Sequence, residues 1–182
     1  MNTLPVKTNS INDFIHQELI VIGMDAIDKK DCIHKLGGLL LAGGFVKESY
    51  VDAVLEREKH FPTGLAVEEL SVAIPHTDIE HTTKPAIAVA ILNSPVEFFE
   101  MATLNVVIYP EIIFLLSIVN PEDQVLWLQR LVTLFQKKGF LTKLKQSKDS
   151  EACYQYLFLE LETLRNDEEE QHKNRNRKLS LV

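Results

Sequence analysis

The sequence predicts an α/β fold: a mixed β-sheet flanked by helices on both faces. Three observations point to it. Helical and β-branched segments alternate along the chain, helical patterns stand at both ends, and the run "IIFLLSIV" (112–119) has no polar alternation. A strand without alternation is one covered on both sides, and interleaved elements of the two kinds build a layered sandwich.

The elements follow in order. "ELIVIGM" (18–24) is β-branched and short, a first strand. "DKKDCIHKLGGLLLAGG" (28–44) places Ile33, Leu36, Leu40 and Leu41 at helical spacing, with Asp28 as N-cap and Gly43-Gly44 as a left-handed stop. "KESYVDAVLEREKH" (47–60) is a second helix, striped by Tyr50, Val51, Val54 and Leu55, and it breaks where Pro62 and Gly64 force a turn. "SVAIP" (71–75) and "AIAVAIL" (86–92) read as strands, and Asn93-Ser94-Pro95 turns the chain into "VEFF". After strand 112–119, "NPEDQVLWLQRLVTLFQKKG" (120–139) is a capped amphipathic helix ending at Gly139. "GFLTKLKQ" makes a short helix and "DSEACYQYLFLELETL" (149–164) a last full one. Beyond Leu164 an acidic cluster and then a basic one offer almost nothing apolar to pack. A single domain over 1–164 and a frayed or disordered tail over 165–182 are expected.

With 182 residues and 46% hydrophobic content, the chain can bury a sizeable core. A net charge of -7 argues against nucleic acid or an anionic membrane as partner. Cys32 and Cys153 are too few and too far apart for a disulfide framework or a CxxC metal site, and suit reduced, semi-buried thiols. The start of the chain lacks a basic stretch followed by an apolar one. The apolar segment at 105–120 is interrupted by Pro110 and Glu111, leaving too little for the roughly 20 residues of a membrane span. A soluble, cytoplasmic domain without membrane insertion is expected.

The chemistry concentrates in "LSVAIPHTDIEH" (70–81). His76 stands just past a strand's C-terminal end, where α/β proteins hold reactive groups on a rigid sheet. Pro75 fixes its own φ and restricts Ile74, so the chain leaves the strand on a defined path. The alternative is a solvated turn residue. A metal shared by His76 and His81, with Asp78 or Glu80, is disfavoured because histidines at i and i+5 do not stack on a helix face. GxSxG, GxxxxGK[ST] and GxGxxG are all absent, and neither cysteine has a local histidine partner to activate it. What remains is Arg57, near a helix end, and the Pro62-Thr63-Gly64 loop. An arginine with free loop donors can hold phosphoryl oxygens, and a neutral histidine can accept a phosphoryl group. Arg57 could equally belong to a solvated face with Glu56, Glu58 and Lys59, and Thr63 could be a plain turn hydroxyl.

"LEREKHFPTGL" (55–65), "VAIPH" (72–76) and "KPAIAVAIL" followed by "VEF" resemble the enzyme IIA domain of the fructose/mannitol superfamily of the bacterial sugar phosphotransferase system, over roughly residues 10 to 162. The resemblance implies the type-2 enzyme IIA sandwich and a phosphocarrier. His76 would be phosphorylated on Nε2, Arg57 would bind the phosphoryl oxygens, and Thr63 with Gly64 would shape the adjoining phosphate loop. The phosphoryl donor would be HPr and the acceptor enzyme IIB, which feeds the membrane subunit IIC, with no metal, nucleotide or other cofactor. Mannitol and fructose members carry a second histidine near the start of the helix after the buried strand, where Asp123 or Gln124 stands here. That departure and the interval "PTGLAVEELSVAIPH" resemble the galactitol-type branch, whose IIB acceptor is a cysteine. His81 and Asp123 are left as residues that could support the site from behind His76 and Arg57 without binding the phosphoryl group. A regulatory protein of the same fold, reporting to a transcription factor or kinase, is the alternative.

Overall fold

The computed structural model describes residues 10–101, 103 and 105–179. The first nine residues of the expected domain and the last three of the expected tail lie outside the described residues.

Among the described residues there are seven strands: β1 (Ile15–Met24), β2 (Gly64–Ala66), β3 (Ser71–Ala73), β4 (Ala86–Leu92), β5 (Phe98–Phe99), β6 (Val107–Ile108) and β7 (Ile112–Ser117). Five form one sheet in the order β1-β4-β7-β3-β2, and β5 and β6 pair separately. β4 runs parallel to β1 and antiparallel to β7; β7 runs parallel to β3, and β2 closes the edge antiparallel to β3. The sheet is therefore mixed, with β4 and β7 at its centre, and every residue of both strands is buried.

β4 shows how sequence sets the two layers. Successive side chains of a strand point to opposite faces. Ala86, Ala88 and Ala90 face α2 (Lys29–Ala42) and α3 (Tyr50–His60), packing against Ile33, Leu36, Leu40 and Val54. Ile87, Val89 and Ile91 point the other way, into a core built by α1 (Ile11–Phe14), α4 (Pro121–Phe135), α5 (Phe140–Lys145) and α6 (Ser150–Leu179). β7 does the same with Ile113 and Leu115 on one side and Ile112, Phe114 and Leu116 on the other. The expected fold class, with helices on both faces, is the one observed.

Local signals account for most boundaries. The Asp28 side chain accepts the N–H of Asp31 as N-cap of α2, and Gly44, at φ 70°, takes the left-handed stop. Asn120 caps α4, with Pro121 at its first turn. Four features differ from expectation. A capping box between Ser10 and Asp13 starts the short helix α1, and β1 begins at Ile15 rather than at 18. The Pro62-Thr63-Gly64 turn runs straight into strand β2. α4 ends at Phe135, short of Gly139, which at φ 82° opens α5. The last helix continues to Leu179 through the segment expected to fray. Glu162–Arg165 and Arg165–Glu169 pairs support it one turn at a time, and Glu168 clamps the buried Arg130 of α4. Among the described residues no helix is long and apolar enough to cross a membrane.

Candidate active site

His76 is held by two fixed neighbours. The Ile74 N–H donates to the Thr63 carbonyl (3.2 Å), and the Leu116 N–H donates to the Pro75 carbonyl (3.0 Å), so the chain leaving β3 is pinned to β2 and β7 at once. The His76 side chain is buried, at 5% exposure. Its Nδ1 lies 2.8 Å from the Ile74 carbonyl. A carbonyl only accepts, so Nδ1 carries the proton and the lone pair belongs to Nε2. Nε2 faces Arg57 Nη2 at 3.3 Å. Burial pushes the His76 pKa below its ordinary value; the Ile74 carbonyl opposes this, Arg57 adds to it and Asp78 opposes it. The result is a neutral imidazole whose unprotonated nitrogen is aimed at a cation.

Arg57 sits in the last turn of α3. Its guanidinium stacks over Phe61 at 5.3 Å and reaches toward Asp78 Oδ1 at 4.0 Å. Its Nε is shielded from solvent and makes no hydrogen bond among the described residues. The two residues that the sequence suggested for the site thus meet across 19 positions. Beside them is a shallow depression of about 310 Å³ lined in part by Arg57, Phe61, Thr77, Asp78 and His81.

The neighbouring residue corrects the sequence. Glu58, which the alternative reading of Arg57 placed on a solvated face with Glu56 and Lys59, is 2% exposed. Its carboxylate accepts the Thr63 N–H (3.0 Å) and the Thr63 hydroxyl (2.7 Å). Both donors of Thr63 are therefore taken by Glu58 rather than free for a ligand, and Thr63 braces the loop. Gly64 is needed for close approach: a Cβ there would stand 2.6 Å from the Phe99 carbonyl oxygen and 2.7 Å from Ile108 Cδ1.

His81 and Asp123 have partners of their own. His81 Nδ1 lies 2.9 Å from Ser49 Oγ, and Nε2 lies 3.2 Å from Glu80 Oε1. Asp123 joins the cap of α4: its N–H donates to Asn120 Oδ1 (2.8 Å) and its carboxylate accepts from Asn120 Nδ2 (2.6 Å). Among the described residues no three His, Cys, Asp or Glu side chains converge as metal ligands. Cys32 and Cys153 are buried and unbridged, their thiols pushed up by burial to about 12 and about 11.

The fold and site define a class, a mixed-sheet α/β protein with a buried histidine facing a half-buried arginine at the end of a short strand beside the sheet centre. The chain belongs to the family "Phosphoenolpyruvate-dependent sugar phosphotransferase system, EIIA 2", whose model matches residues 13–159. It is 29% identical over 122 residues to the galactitol-specific EIIA component of Escherichia coli K12, covering 67% of this chain and 81% of that one. Its fold is similar to mannitol enzyme IIA of Escherichia coli, solved in complex with phosphorylated enzyme IIB (TM-score 0.65, 23% identity, 79% of this chain and 96% of that one). Nitrogen regulatory protein IIA-Ntr of Neisseria meningitidis is another fold neighbour (TM-score 0.64, 24% identity, 81% of this chain and 98% of that one).

Proposed function

We propose that this chain is a cytoplasmic phosphocarrier that accepts phosphate from HPr on His76 Nε2 and passes it to a cysteine of enzyme IIB, for uptake of a sugar or sugar alcohol. The relative named galactitol-specific favours galactitol as the sugar alcohol. One observation carries the reading: an unprotonated, buried Nε2 set 3.3 Å from an arginine donor.

The transfer needs little else from the protein. The Nε2 lone pair forms a bond to phosphorus as the donor's N–P bond breaks, with no proton to remove at Nε2. Nδ1 keeps its proton, and the Ile74 carbonyl supports the positive charge that the ring acquires. Arg57 offers planar, charged donors to the phosphoryl oxygens, a geometry suited to spread negative charge. Positioning and charge neutralisation are the main demands of phosphoryl transfer. Neither His81 nor Asp123 is assigned a step.

Incubation with phosphoenolpyruvate, enzyme I and HPr should give acid-labile, alkali-stable phosphate on the wild type and none on His76→Gln. Labelling of the variant equal to wild type would remove His76 from the site. Labelling without onward transfer to any IIB partner encoded nearby would favour the regulatory alternative.

A further inference from the structure

We propose that Glu58 is a positioning residue for His76 and Arg57, resting on the phosphocarrier reading above. It acts through two connected arms. In the first, its carboxylate holds the N–H and hydroxyl of Thr63. The Thr63 carbonyl accepts the Ile74 N–H, and the Ile74 carbonyl accepts Nδ1–H of His76. Four residues, Glu58, Thr63, Ile74 and His76, thus form an unbroken line of hydrogen bonds ending on the ring nitrogen that must stay protonated. In the second arm, Glu58 follows Arg57 in the last turn of α3. Anchoring Glu58 against Thr63 fixes that turn and the direction in which Arg57 leaves it.

A buried carboxylate is costly unless it is hydrogen-bonded. Burial pushes the Glu58 pKa above its ordinary range, and the two Thr63 bonds act most strongly in the opposite direction. A glutamate at 2% exposure serves the fold no better than a hydrophobic side chain would. Its value lies in what it holds. Among the described residues, both hydrogen bonds to its carboxylate come from the one residue whose carbonyl supports the His76 loop.

The experiment uses the unphosphorylated full chain, labelled with ¹⁵N at histidine, alongside steady-state phosphorylation by phospho-HPr. In the wild type, His76 shows a protonated Nδ1 and an unprotonated Nε2. Glu58→Ala should give a mixed tautomer and a kcat about 10- to 100-fold lower, with KM for phospho-HPr unchanged. Thr63→Val, which keeps the N–H arm and loses the hydroxyl, should show a smaller change of the same kind. Glu58→Gln can accept the N–H and donate to the hydroxyl oxygen, and should recover most of the loss. A folded Glu58→Ala with wild-type tautomer and kcat overturns the proposal. If Glu58→Ala does not fold, a wild-type spectrum and rate for Thr63→Val overturn it instead. A Glu58→Gln loss as large as that of Glu58→Ala also overturns it, since charge rather than the two bonds would then be responsible. The tautomer is read without any phosphoryl donor, so a wild type that takes no phosphate would refute the phosphocarrier reading and leave the bracing to be decided by the spectra.

Discussion

Arg57 Nη2 stands 3.3 Å from His76 Nε2, and the Ile74 carbonyl lies 2.8 Å from the other ring nitrogen. These two contacts specify one protonation state. A guanidinium has no acceptor, so the nitrogen facing it must present a lone pair. A protonated ring would set two cations against each other in a buried place. The site therefore holds His76 as the tautomer with its lone pair on Nε2.

Removing that guanidinium should slow phosphorylation of His76 more than it weakens the fold. Arg57→Ala is expected to lower kcat by about 10²- to 10³-fold, the usual loss when a charge-stabilising donor is removed. Arg57→Lys should recover little, because an ammonium cannot make the planar two-pronged contact. Rapid-quench phosphorylation assays check both.

The His76 titration gives a second prediction. Its midpoint should fall below the ordinary value near 6.5, because burial and Arg57 both oppose the charged ring. Phosphoryl acceptance should therefore stay level as pH falls to about 6.5 and decline only below it. The unfolded chain takes up this proton first, so His76 stabilises the fold fully above about 6.5, and that contribution is lost as pH falls toward its folded midpoint. Arg57→Ala should raise the midpoint. Proton NMR of the His76 ring across pH measures it in each variant.

Much of this was legible where the cause is local. Asp28 and Asn120 announce their helices because a cap needs only the next turn. The alternating alanines and β-branched residues of β4 display both faces of the sheet. Pro75-His76 is visible because proline acts on its immediate neighbours. Glu58 was not legible: its sequence neighbours are charged, and only the loop folding back through Thr63 buries it. The same holds for the end of α6, where composition argues for fraying but Glu168 finds Arg130 across 38 positions. Pairings of that kind leave no periodic trace.

Gly64 should tolerate no side chain. In Gly64→Ala the new methyl would meet the Phe99 carbonyl oxygen, a backbone atom that cannot rotate away. The Gly64 carbonyl also accepts the Met101 N–H at 2.8 Å, so β2 cannot shift without breaking that bond. A loss of about 1–3 kcal/mol is expected from overpacking. Urea denaturation measures it, and slower labelling of His76 should accompany it, since Thr63 precedes Gly64 directly.

The clamp at the end of α6 yields the last prediction. Arg130, with a side chain 8% exposed, gives Glu168 two nitrogens, Nε at 3.1 Å and Nη2 at 2.6 Å from one carboxylate oxygen. Its guanidinium also lies 5.6 Å from the ring of Trp127, the sole tryptophan of the chain. Glu168→Ala leaves a buried cation without its carboxylate. Because Glu168 is itself 38% exposed, the cost should be about 1–2 kcal/mol rather than that of a fully buried pair. Arg130→Met removes the cation while filling its volume, and adding it to Glu168→Ala should restore part of the lost stability. Ending the chain after Leu164 removes the same carboxylate and should match Glu168→Ala in both stability and Trp127 emission. If truncation costs nothing while Glu168→Ala does, solvent supplies what the carboxylate supplied, and the helix beyond Leu164 contributes no stability of its own. Denaturation curves followed by Trp127 fluorescence separate these cases in one series.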